Sequence, residues 1–290
     1  MMQTDISIVI PAKNEEAALI TLLPNLKEVL PQAEIIVVDD GSTDDTARIC
    51  QEVGVILVSH PYSKGNGAAI KSGVRKASHP LVVCMDADGQ HDPVKVTELV
   101  DAINQGYDMV VGARSQQSQA SRARGLANAV YNRLASYIVG RRVMDLTSGF
   151  RAFKRKKFLR FINLLPNGFS YPTTITMAFF RAGYSVRYIP IEAKKRIGNS
   201  HINIFKDGIR FLMIIFKVGT LYSPLKIFVP ISLLSFVLGL SNYLYTFFLD
   251  HRFTNMSAML LMNSVLIFLL GLVSEQITAL LYQQDRDESS

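Results

Sequence analysis

The chain has 290 residues, a formal net charge of +7 and 49% hydrophobic residues, which is enough for one large domain or two small ones. Its only two cysteines, Cys50 and Cys84, lie in a predicted helix and a predicted strand, so a disulfide-stapled secreted scaffold is excluded and reduced core thiols are expected. The charge is uneven: residues 122–226 contain 20 Lys and Arg but three acids, whereas the rest of the chain contains 11 basic and 21 acidic side chains.

The first 115 residues or so alternate strands and helices. Strands are predicted at residues 6–10, 34–38, 55–59, 81–85 and 109–112, and helices follow the first four of them, the last at 93–104. This alternation predicts an α/β fold with a mostly parallel sheet and helices on both faces. In such sheets ligands bind outside the carboxyl ends of the strands.

The fourth predicted strand ends in two carboxylates one residue apart. Asp86, Asp88 and Gln90 follow the apolar run 81–85, and residues two apart in an extended segment project to the same side. Their oxygen atoms could converge on one hard cation such as Mg²⁺ or Mn²⁺. An Asx turn at a strand end is the structural alternative.

Polar side chains also follow other predicted strands. Asp39 and Asp40 could accept hydrogen bonds from a base or a ribose, and Lys64 could meet a phosphate. Gly65 and Gly67 do not make a dinucleotide fingerprint, because that fingerprint belongs at the first strand–helix turn, which has no glycine here. Together these residues indicate a site for a nucleoside diphosphate with a metal ion.

The final third has the composition of a membrane hairpin. Residues 227–249 and 253–274 carry no charged side chain, and each run approaches the roughly 20 residues that cross a bilayer core. A buried core helix is the alternative. The basic zone before these runs favours contact with anionic lipid head groups rather than nucleic acid, and it places the N-terminal part in the cytoplasm.

We therefore expect three parts: a catalytic domain at 1–202, an amphipathic membrane-surface helix at 203–224, and a hairpin at 225–290. The hairpin would have spans at about 227–249 and 255–276 and a short cytoplasmic tail. The expected location is the cell (inner) membrane, as a multi-pass protein.

Six short motifs in a fixed order carry a resemblance to a known family. They are Pro11-Ala12-Lys13-Asn14-Glu15, Val37-Val38-Asp39-Asp40-Gly41-Ser42, Lys64-Gly65-Asn66-Gly67-Ala68-Ala69, Met85-Asp86-Ala87-Asp88-Gly89-Gln90-His91, Gly112-Ala113-Arg114, and Asp145-Leu146-Thr147-Ser148-Gly149-Phe150-Arg151-Ala152-Phe153. The chain resembles family 2 glycosyltransferases of the GT-A fold, in the branch of dolichyl- and polyprenyl-phosphate sugar synthases that includes the dolichol-phosphate mannosyltransferases.

The resemblance implies a GDP- or UDP-sugar donor, Mg²⁺ or Mn²⁺ as cofactor, and a polyprenyl phosphate acceptor. It places the metal at Asp86, Asp88 and Gln90, and the acceptor phosphate near Arg114 and the segment from Ser148 to Arg151. The implied donor-binding residues are Pro11, Ala12, Asn14, Glu15, Asp39, Asp40, Lys64, Gly65, Asp86, Ala87, Arg196, Ser200 and His201. The implied catalytic residues are Asp88, Arg114, Asp145, Ser148 and Arg151.

The distribution of carboxylates points to the same acceptor. No Asp or Glu occurs from Leu146 to Ile191, although this stretch holds eight Lys and Arg. A sugar hydroxyl needs a general base, whereas a phosphate monoester with a second pKa of about 6 is already largely ionised and needs cations to hold it. Asp145 could be a base or could orient a nearby arginine, and we favour the second role.

Two departures from the family pattern concern the donor side. His201 stands where many relatives have a lysine thought to meet the donor phosphates or the acceptor, and Tyr171-Pro172-Thr173-Thr174-Ile175-Thr176 stands where relatives often carry acids. The absence of tryptophan excludes the Gln-x-x-Arg-Trp motif of processive polysaccharide synthases.

The predicted function is inverting transfer of a sugar, by a metal-dependent hexosyltransferase, to undecaprenyl or dolichyl phosphate at the cytoplasmic face. The alternatives are extension of a lipid-linked glycan and, with less support, a non-catalytic membrane protein that binds nucleotide sugars. The sugar, the nucleotide and the lipid length stay open, and a homo-oligomer is compatible with the sequence.

Overall fold

The computed structural model describes residues 5–114, 122–168, 170–191 and 223–287, together with positions 213, 216, 217 and 219–221. Within this part of the chain seven strands form one sheet, in the order β3-β2-β1-β4-β6-β5-β7. The strands are β1 Ile6–Ala12, β2 Glu34–Asp39, β3 Ile56–Ser59, β4 Leu81–Cys84, β5 Met109–Arg114, β6 Arg151–Lys154 and β7 Val186–Ile191. The helices are α1 Glu16–Val29, α2 Thr46–Val53, α3 Asn66–Lys76, α4 Val94–Asn104, α5 Arg122–Val139, α6 Arg155–Leu159, α7 Tyr171–Arg181, α8 Pro224–Asp250 and α9 Asn255–Asp287.

The sheet is mostly parallel, as the strand–helix alternation predicted. Only β6 runs against its neighbours, and it lies between β4 and β5. Because β6 is reversed, its first residue, Arg151, pairs with Cys84 and Val111, near the carboxyl ends of β4 and β5. The segment that leads into β6 therefore arrives at the same edge of the sheet as the ends of the parallel strands.

Helices cover both faces of the sheet, and the alternation of side chains along β1 shows how. Ile8 and Ile10 belong to a core cluster with apolar residues of α1, α2 and α4. Val9 points the other way, since a Cβ added to Gly73 of α3 would lie 2.3 Å from Val9 Cγ1. The glycine thus lets α3 approach the sheet closely. Cys50 and Cys84 are buried free thiols, as expected, and burial raises the pKa of Cys50 to about 11, with the charge of Asp39 adding to the effect.

The helices α8 and α9 form a hairpin whose inner face is built from small and polar residues. Gly239 lies against Leu260 and Leu261, where a Cβ would have contacts of 3.0–3.1 Å. Ser232 Oγ donates a 2.8 Å hydrogen bond to the carbonyl of Ser264. Such small and hydroxyl side chains allow close packing between helices in lipid.

The outer surface of the hairpin is apolar and exposed. Pro224–Asp250 and Asn255–Leu280 are long and apolar enough to cross a membrane, and only 6% and 17% of their most apolar windows are buried. A core helix of a soluble domain would be mostly buried, so the exposure argues against that alternative and fits a lipid-facing hairpin.

By its internal contacts the chain divides into two compact units, residues 1–133 with 141–207, and residues 134–140 with 208–290. The predicted surface helix at 203–224 lies for the most part outside the described residues, and so do the predicted donor residues Arg196, Ser200 and His201.

Candidate active site

The carboxyl edge of the sheet collects most of the residues that the sequence singled out. β1 lies between β2 and β4 and is parallel to both, so the residues after Ala12, Asp39 and Cys84 emerge on the same edge. Arg114, the last residue of β5, comes to this edge as well, because the reversed β6 pairs with both β4 and β5.

Two loops at this edge are locked together by hydrogen bonds. Asn14 adopts a positive φ of 54°, and its Oδ1 accepts from the backbone N–H of Thr43 at 2.8 Å while its own N–H donates to Ser42 Oγ at 2.9 Å. The N–H of Glu15 donates to Thr46 Oγ1 at 3.1 Å. These bonds join the loop after β1 to the loop after β2. The motif that begins at Pro11 and Ala12 therefore forms this part of the edge together with Ser42–Thr46.

The adjacent carboxylates Asp39 and Asp40 have different surroundings. Asp39 accepts from the N–H of Ser42 through Oδ1 at 2.8 Å, and within the described chain no hydrogen bond reaches its Oδ2. Asp39 therefore retains an acceptor atom for a ligand.

The prediction that Asp40 contacts a base or ribose does not fit the structure. Its Oδ1 accepts from His60 Nδ1 and Lys64 N, and its Oδ2 accepts from Ser63 Oγ and Gly65 N, at 2.7–2.9 Å. Burial favours the neutral form of Asp40, but these hydrogen bonds, led by that of His60, outweigh it and lower the pKa to about 2. Asp40 holds the loop that presents Lys64, and has no oxygen left over.

His60 completes this arrangement and was not identified from the sequence. Its Nε2 lies 2.9 Å from Ser72 Oγ, and its ring is buried. The order Ser72–His60–Asp40 has the connectivity of a nucleophile triad, but Asp40 is committed to the loop and Ser72 lies within α3. We assign the set to support of the loop.

The glycines at the start of α3 allow close packing. A Cβ on Gly65 would lie 2.5 Å from the carbonyl oxygen of Asn167, and one on Gly67 would lie 2.2 Å from that of Pro166. The N–H of Ala68 donates to Asn167 O at 3.0 Å, so the first turn of α3 is covered by backbone carbonyls. Lys64 itself is exposed, with its ammonium 5.7 Å from the centre of the Tyr62 ring.

The carboxylate of Asp86 lies close to His91 and to Gly149. Its Oδ2 is 3.7 Å from His91 Nε2, and the His91 ring stacks on Phe150 with centroids 4.7 Å apart. Burial opposes ionisation of Asp86, yet the nearby His91 ring, followed by the charges of Arg114 and Arg151, holds its pKa below the usual value. A Cβ on Gly149 would lie 2.8 and 2.9 Å from the two carboxylate oxygens, so the glycine keeps the space in front of Asp86 free.

Asp88 and Gln90 form the local turn that was the structural alternative. The N–H of Gln90 donates to Asp88 Oδ1 at 3.2 Å, which is an Asx turn. Both side chains are half-buried at the edge, as is Asp86, while Ala87 between the two carboxylates is buried. The turn and a metal-binding role are compatible, because a carboxylate oxygen can accept a hydrogen bond and bind a cation at the same time.

The side-chain oxygens of Asp86, Asp88 and Gln90 suit a divalent cation that takes further ligands from a bound substrate. Over the described residues, three or more His, Cys, Asp or Glu side chains nowhere come together in a group that could hold a metal. Two carboxylates and an amide make an incomplete shell, which is how Mg²⁺ is commonly held when substrate phosphates supply other ligands.

The side chain of Arg114 is held by the carboxylate of Asp145 and the hydroxyl of Thr147. Its Nε donates to Asp145 Oδ2 at 2.9 Å and its Nη2 donates to Asp145 Oδ1 at 3.2 Å and to Thr147 Oγ1 at 2.6 Å. The N–H groups of Thr147 and Ser148 also donate to Asp145 Oδ1. Burial opposes ionisation of Asp145, but Arg114 and the N–H of Thr147 lower its pKa, which makes Asp145 a poor base.

Arg114 also faces the acidic pair. Burial disfavours its charge, but Asp145 first and then Asp86 and Asp88 raise its pKa. Its side chain remains 33% exposed, so the guanidinium can meet a ligand.

The prediction that Arg151 contacts the acceptor phosphate is not supported by its position. Arg151 is fully buried; it donates to the carbonyl of Ser148 through Nε and Nη2, and to Pro172 O and Thr176 Oγ1 through Nη1 at 3.1 and 3.0 Å. Ser148 is buried as well, with 2% exposure. Both residues therefore fix the segment between Asp145 and β6, and a direct contact with lipid phosphate would require it to open.

His60, His91 and Gly149 were not predicted as site residues from the sequence. His91 directly follows Gln90 and was quoted only as part of a motif. A signal for Gly149 was also present, since a glycine between two predicted site residues often allows a close backbone approach.

Comparison with known proteins gives two family matches and a set of named relatives. Residues 7–161 match the family described as Glycosyl transferase family 2, and residues 223–280 match the GtrB C-terminal hairpin. A dolichyl-phosphate hexose transferase of Haloferax volcanii is 30% identical over 207 residues, which cover 70% of this chain and 89% of the relative. A polyprenol monophosphomannose synthase of Mycolicibacterium smegmatis is 30% identical over 205 residues, 65% of this chain and 77% of the relative.

Among solved structures, glucosyl-3-phosphoglycerate synthase of Mycobacterium tuberculosis, in complex with Mn²⁺, UDP and glucosyl-3-phosphoglycerate, superimposes with a TM-score of 0.62. It is 23% identical, and the match covers 74% of this chain and 80% of that one, so it shows a shared fold. The first family match spans more than half of the chain and includes the loops after β1, β2 and β4 as well as Arg114, Asp145 and Arg151. By that match and by the relatives above, the chain belongs to glycosyl transferase family 2.

Proposed function

We propose that this protein transfers a sugar from a nucleoside diphosphate sugar to a polyprenyl phosphate, with inversion at the anomeric carbon. The observation that carries the proposal is the position of Arg114. Asp145 fixes its guanidinium at the carboxyl edge, partly exposed and close enough to Asp86 and Asp88 for both to raise its pKa. An anion bound there would lie beside the expected donor diphosphate. Relatives that share 30% identity are named for dolichyl-phosphate and polyprenol-phosphate transfer.

The donor is expected to occupy the edge formed by the loops after β1, β2 and β4. Asp39 Oδ2 supplies an acceptor for the nucleoside, and Lys64 supplies a cation for phosphate, held in place through Asp40. Asp86, Asp88 and Gln90 would hold Mg²⁺ or Mn²⁺. When bound, the ion would offset the charge that develops on the leaving diphosphate. The mycobacterial enzyme that shares the fold is a complex with Mn²⁺ and UDP, which supports the same pairing of metal and nucleotide here.

The reaction needs no proton acceptor in this arrangement. An oxygen of the ionised lipid phosphate forms a bond to the anomeric carbon, while the bond from that carbon to the donor's phosphate oxygen breaks and the nucleoside diphosphate leaves with the electron pair. Asp145 is engaged with Arg114, and Asp40 with the loop that holds Lys64, so neither is placed to take a proton. The contribution of the chain is alignment of two anions and stabilisation of charge.

The hairpin of α8 and α9 would anchor the enzyme where its lipid substrate lies. Its exposed apolar surface suits the bilayer, and the basic zone before it favours a cytoplasmic catalytic domain in a cell membrane. The polyprenyl chain of the acceptor would stay in the same bilayer as the hairpin.

The test uses the full chain in detergent with undecaprenyl phosphate, Mg²⁺ or Mn²⁺, and a panel of labelled GDP- and UDP-sugars. Label should pass into the organic phase from one donor, and EDTA should abolish it. Asp88→Asn should lower turnover at least about a hundredfold, whereas Asp101→Asn, a surface carboxylate of α4, should not. Transfer only when a lipid-linked sugar replaces the lipid phosphate would refute the proposal in favour of glycan extension.

The assignment of Arg114 has its own control. Arg114→Ala should raise the KM for lipid phosphate and leave the donor KM within about twofold. Arg75→Ala, which removes an exposed arginine of α3, should change neither. A rise in the donor KM alone would move Arg114 to the donor side.

A further inference from the structure

Asn132 of α5 grips the chain on both sides of Asp145. Its Nδ2 donates to the carbonyl of Met144 at 2.7 Å, and its Oδ1 accepts from the N–H of Leu146 at 3.2 Å. A side-chain amide has the donor and acceptor of a peptide group, so this pair imitates one rung of a strand ladder. Asn132 lies in the same compact unit as Asp145 and Arg114.

This grip determines where the Asp145 carboxylate points. Fixing the carbonyl before a residue and the N–H after it fixes the two peptide planes that flank its Cα, and so the direction of the side chain. Leu146 is fully buried, so the far side of the segment is anchored in the core as well. The Asp145 carboxylate in turn accepts hydrogen bonds from the backbone N–H, the Nε and the Nη2 of Arg114.

We infer that Asn132 is a positioning residue for the acceptor: it sets the Asp145 carboxylate, and through it the Arg114 guanidinium that receives the lipid phosphate. The inference rests on the proposed function, in which Arg114 binds that phosphate. Asn132 itself touches neither substrate. Its effect passes through two consecutive sets of hydrogen bonds, from the amide to the backbone around Asp145 and from Asp145 to Arg114.

The neighbouring residue provides a matched control. Tyr131 precedes Asn132 in α5, is buried, and bonds through its hydroxyl to Thr173 Oγ1 of α7 at 3.0 Å. Tyr131→Phe removes a hydrogen bond from the same turn of the same helix, and that bond leads to Thr173 of α7 rather than to Met144 or Leu146. Asn132→Leu keeps the branching of the side chain at Cγ, with a somewhat larger volume, and removes both hydrogen bonds to that segment.

The experiment compares steady-state KM values for undecaprenyl phosphate and for the sugar donor in the full chain, at saturating metal. Asn132→Leu should raise the lipid KM by roughly tenfold or more, with the donor KM within about twofold. Asn132→Asp, which keeps an acceptor for Leu146 but faces the Met144 carbonyl with a second acceptor, should also raise the lipid KM. Tyr131→Phe should change neither constant. An unchanged donor KM shows that the variants are folded, so a general loss of structure would not produce this pattern.

The outcomes separate this inference from the function on which it rests. If Arg114→Ala raises the lipid KM and neither Asn132 variant does, Asn132 has no positioning role and the function stands. If the Asn132 variants raise both KM values equally, the residue is only structural and the inference is overturned. If Arg114→Ala leaves the lipid KM unchanged, the acceptor assignment fails and the inference falls with it.

Discussion

Gly149→Ala tests whether the space in front of Asp86 matters for activity. The added Cβ would lie 2.8 Å from Oδ2 and 2.9 Å from Oδ1, whereas ordinary contacts begin at 3.4 Å. The carboxylate must therefore move by about 0.6 Å, which exceeds the roughly 0.2 Å tolerance of metal–ligand distances. The backbone of Gly149 is not in the left-handed region, so alanine should introduce little strain of its own.

We expect Gly149→Ala to raise the metal concentration for half-maximal activity about tenfold or more, and to lower turnover at saturating metal. The assay is transfer of label to lipid phosphate at graded Mn²⁺. Gly168→Ala is the matched control, because nothing lies within 4 Å of its added Cβ. Wild-type metal activation in Gly149→Ala would refute the view that Asp86 is a metal ligand held against this glycine.

Three further predictions concern buried polar groups. Arg151→Ala should lower the free energy of unfolding by about 3–5 kcal/mol, because it empties a fully buried site and strands two carbonyls; thermal unfolding in detergent measures this, and full stability with a raised lipid KM would restore a binding role. Asp108 is paired with Lys154 and Lys157, and its pKa is lowered to about 2. Its contribution to the free energy of unfolding should therefore be complete above pH 4 and lost as the pH falls towards 2. Asp108→Asn should lower the free energy of unfolding by about 2 kcal/mol at pH 7 and flatten its pH dependence in unfolding scans. His60→Ala should raise the donor KM while His60→Asn, whose amide can still donate to Asp40, should raise it less; equal effects of the two would show that the ring volume matters rather than the bond.

The parallel part of the sheet and its edge could be predicted because their signals are local. Residues 6–112 alternate apolar strands and helices, and the acidic pair follows directly after one strand. The reversed β6 could not be predicted in this way. Arg151–Lys154 begins and ends with a cation, and only its pairing with β4 and β5 makes it a central strand. That pairing brings together residues far apart in the sequence.

Arg151 shows why residue type alone misplaced a cation. Arginine is almost never fully buried unless it is paired, so a sequence argument assigns it to the surface or to an anionic ligand. Here the first position of β6 lies inside the sheet, and backbone carbonyls of Ser148 and Pro172 take the place of a carboxylate partner. From this position the positive charge of Arg151 helps to lower the pKa of Asp86 and does not contact a lipid.

Asp39 and Asp40 differ for a geometric reason that the sequence contains only in part. Successive residues at the end of a strand project to opposite sides. Asp39 ends β2 and keeps one oxygen for a ligand, while Asp40 turns towards His60 and the backbone before α3. The period of two predicts that one of the pair faces inward, but which one depends on where α3 lies.

The surroundings of the carboxylates lead to a prediction about pH. Within the described part of the edge, Asp145 is bound to Arg114, Asp40 to a loop, and Asp86 lies beside His91, all with lowered pKa values. If none of them acts as a base, the acceptor must arrive ionised, and the rate should follow its second pKa of about 6. Turnover with a subsaturating lipid phosphate should therefore fall as the pH drops from 7 to 5, and a phosphonate acceptor with a higher second pKa should shift the midpoint upward. Initial rates over this range with the two acceptors decide the matter: a midpoint that stays with the enzyme when the acceptor changes would mean that a side chain takes the proton after all.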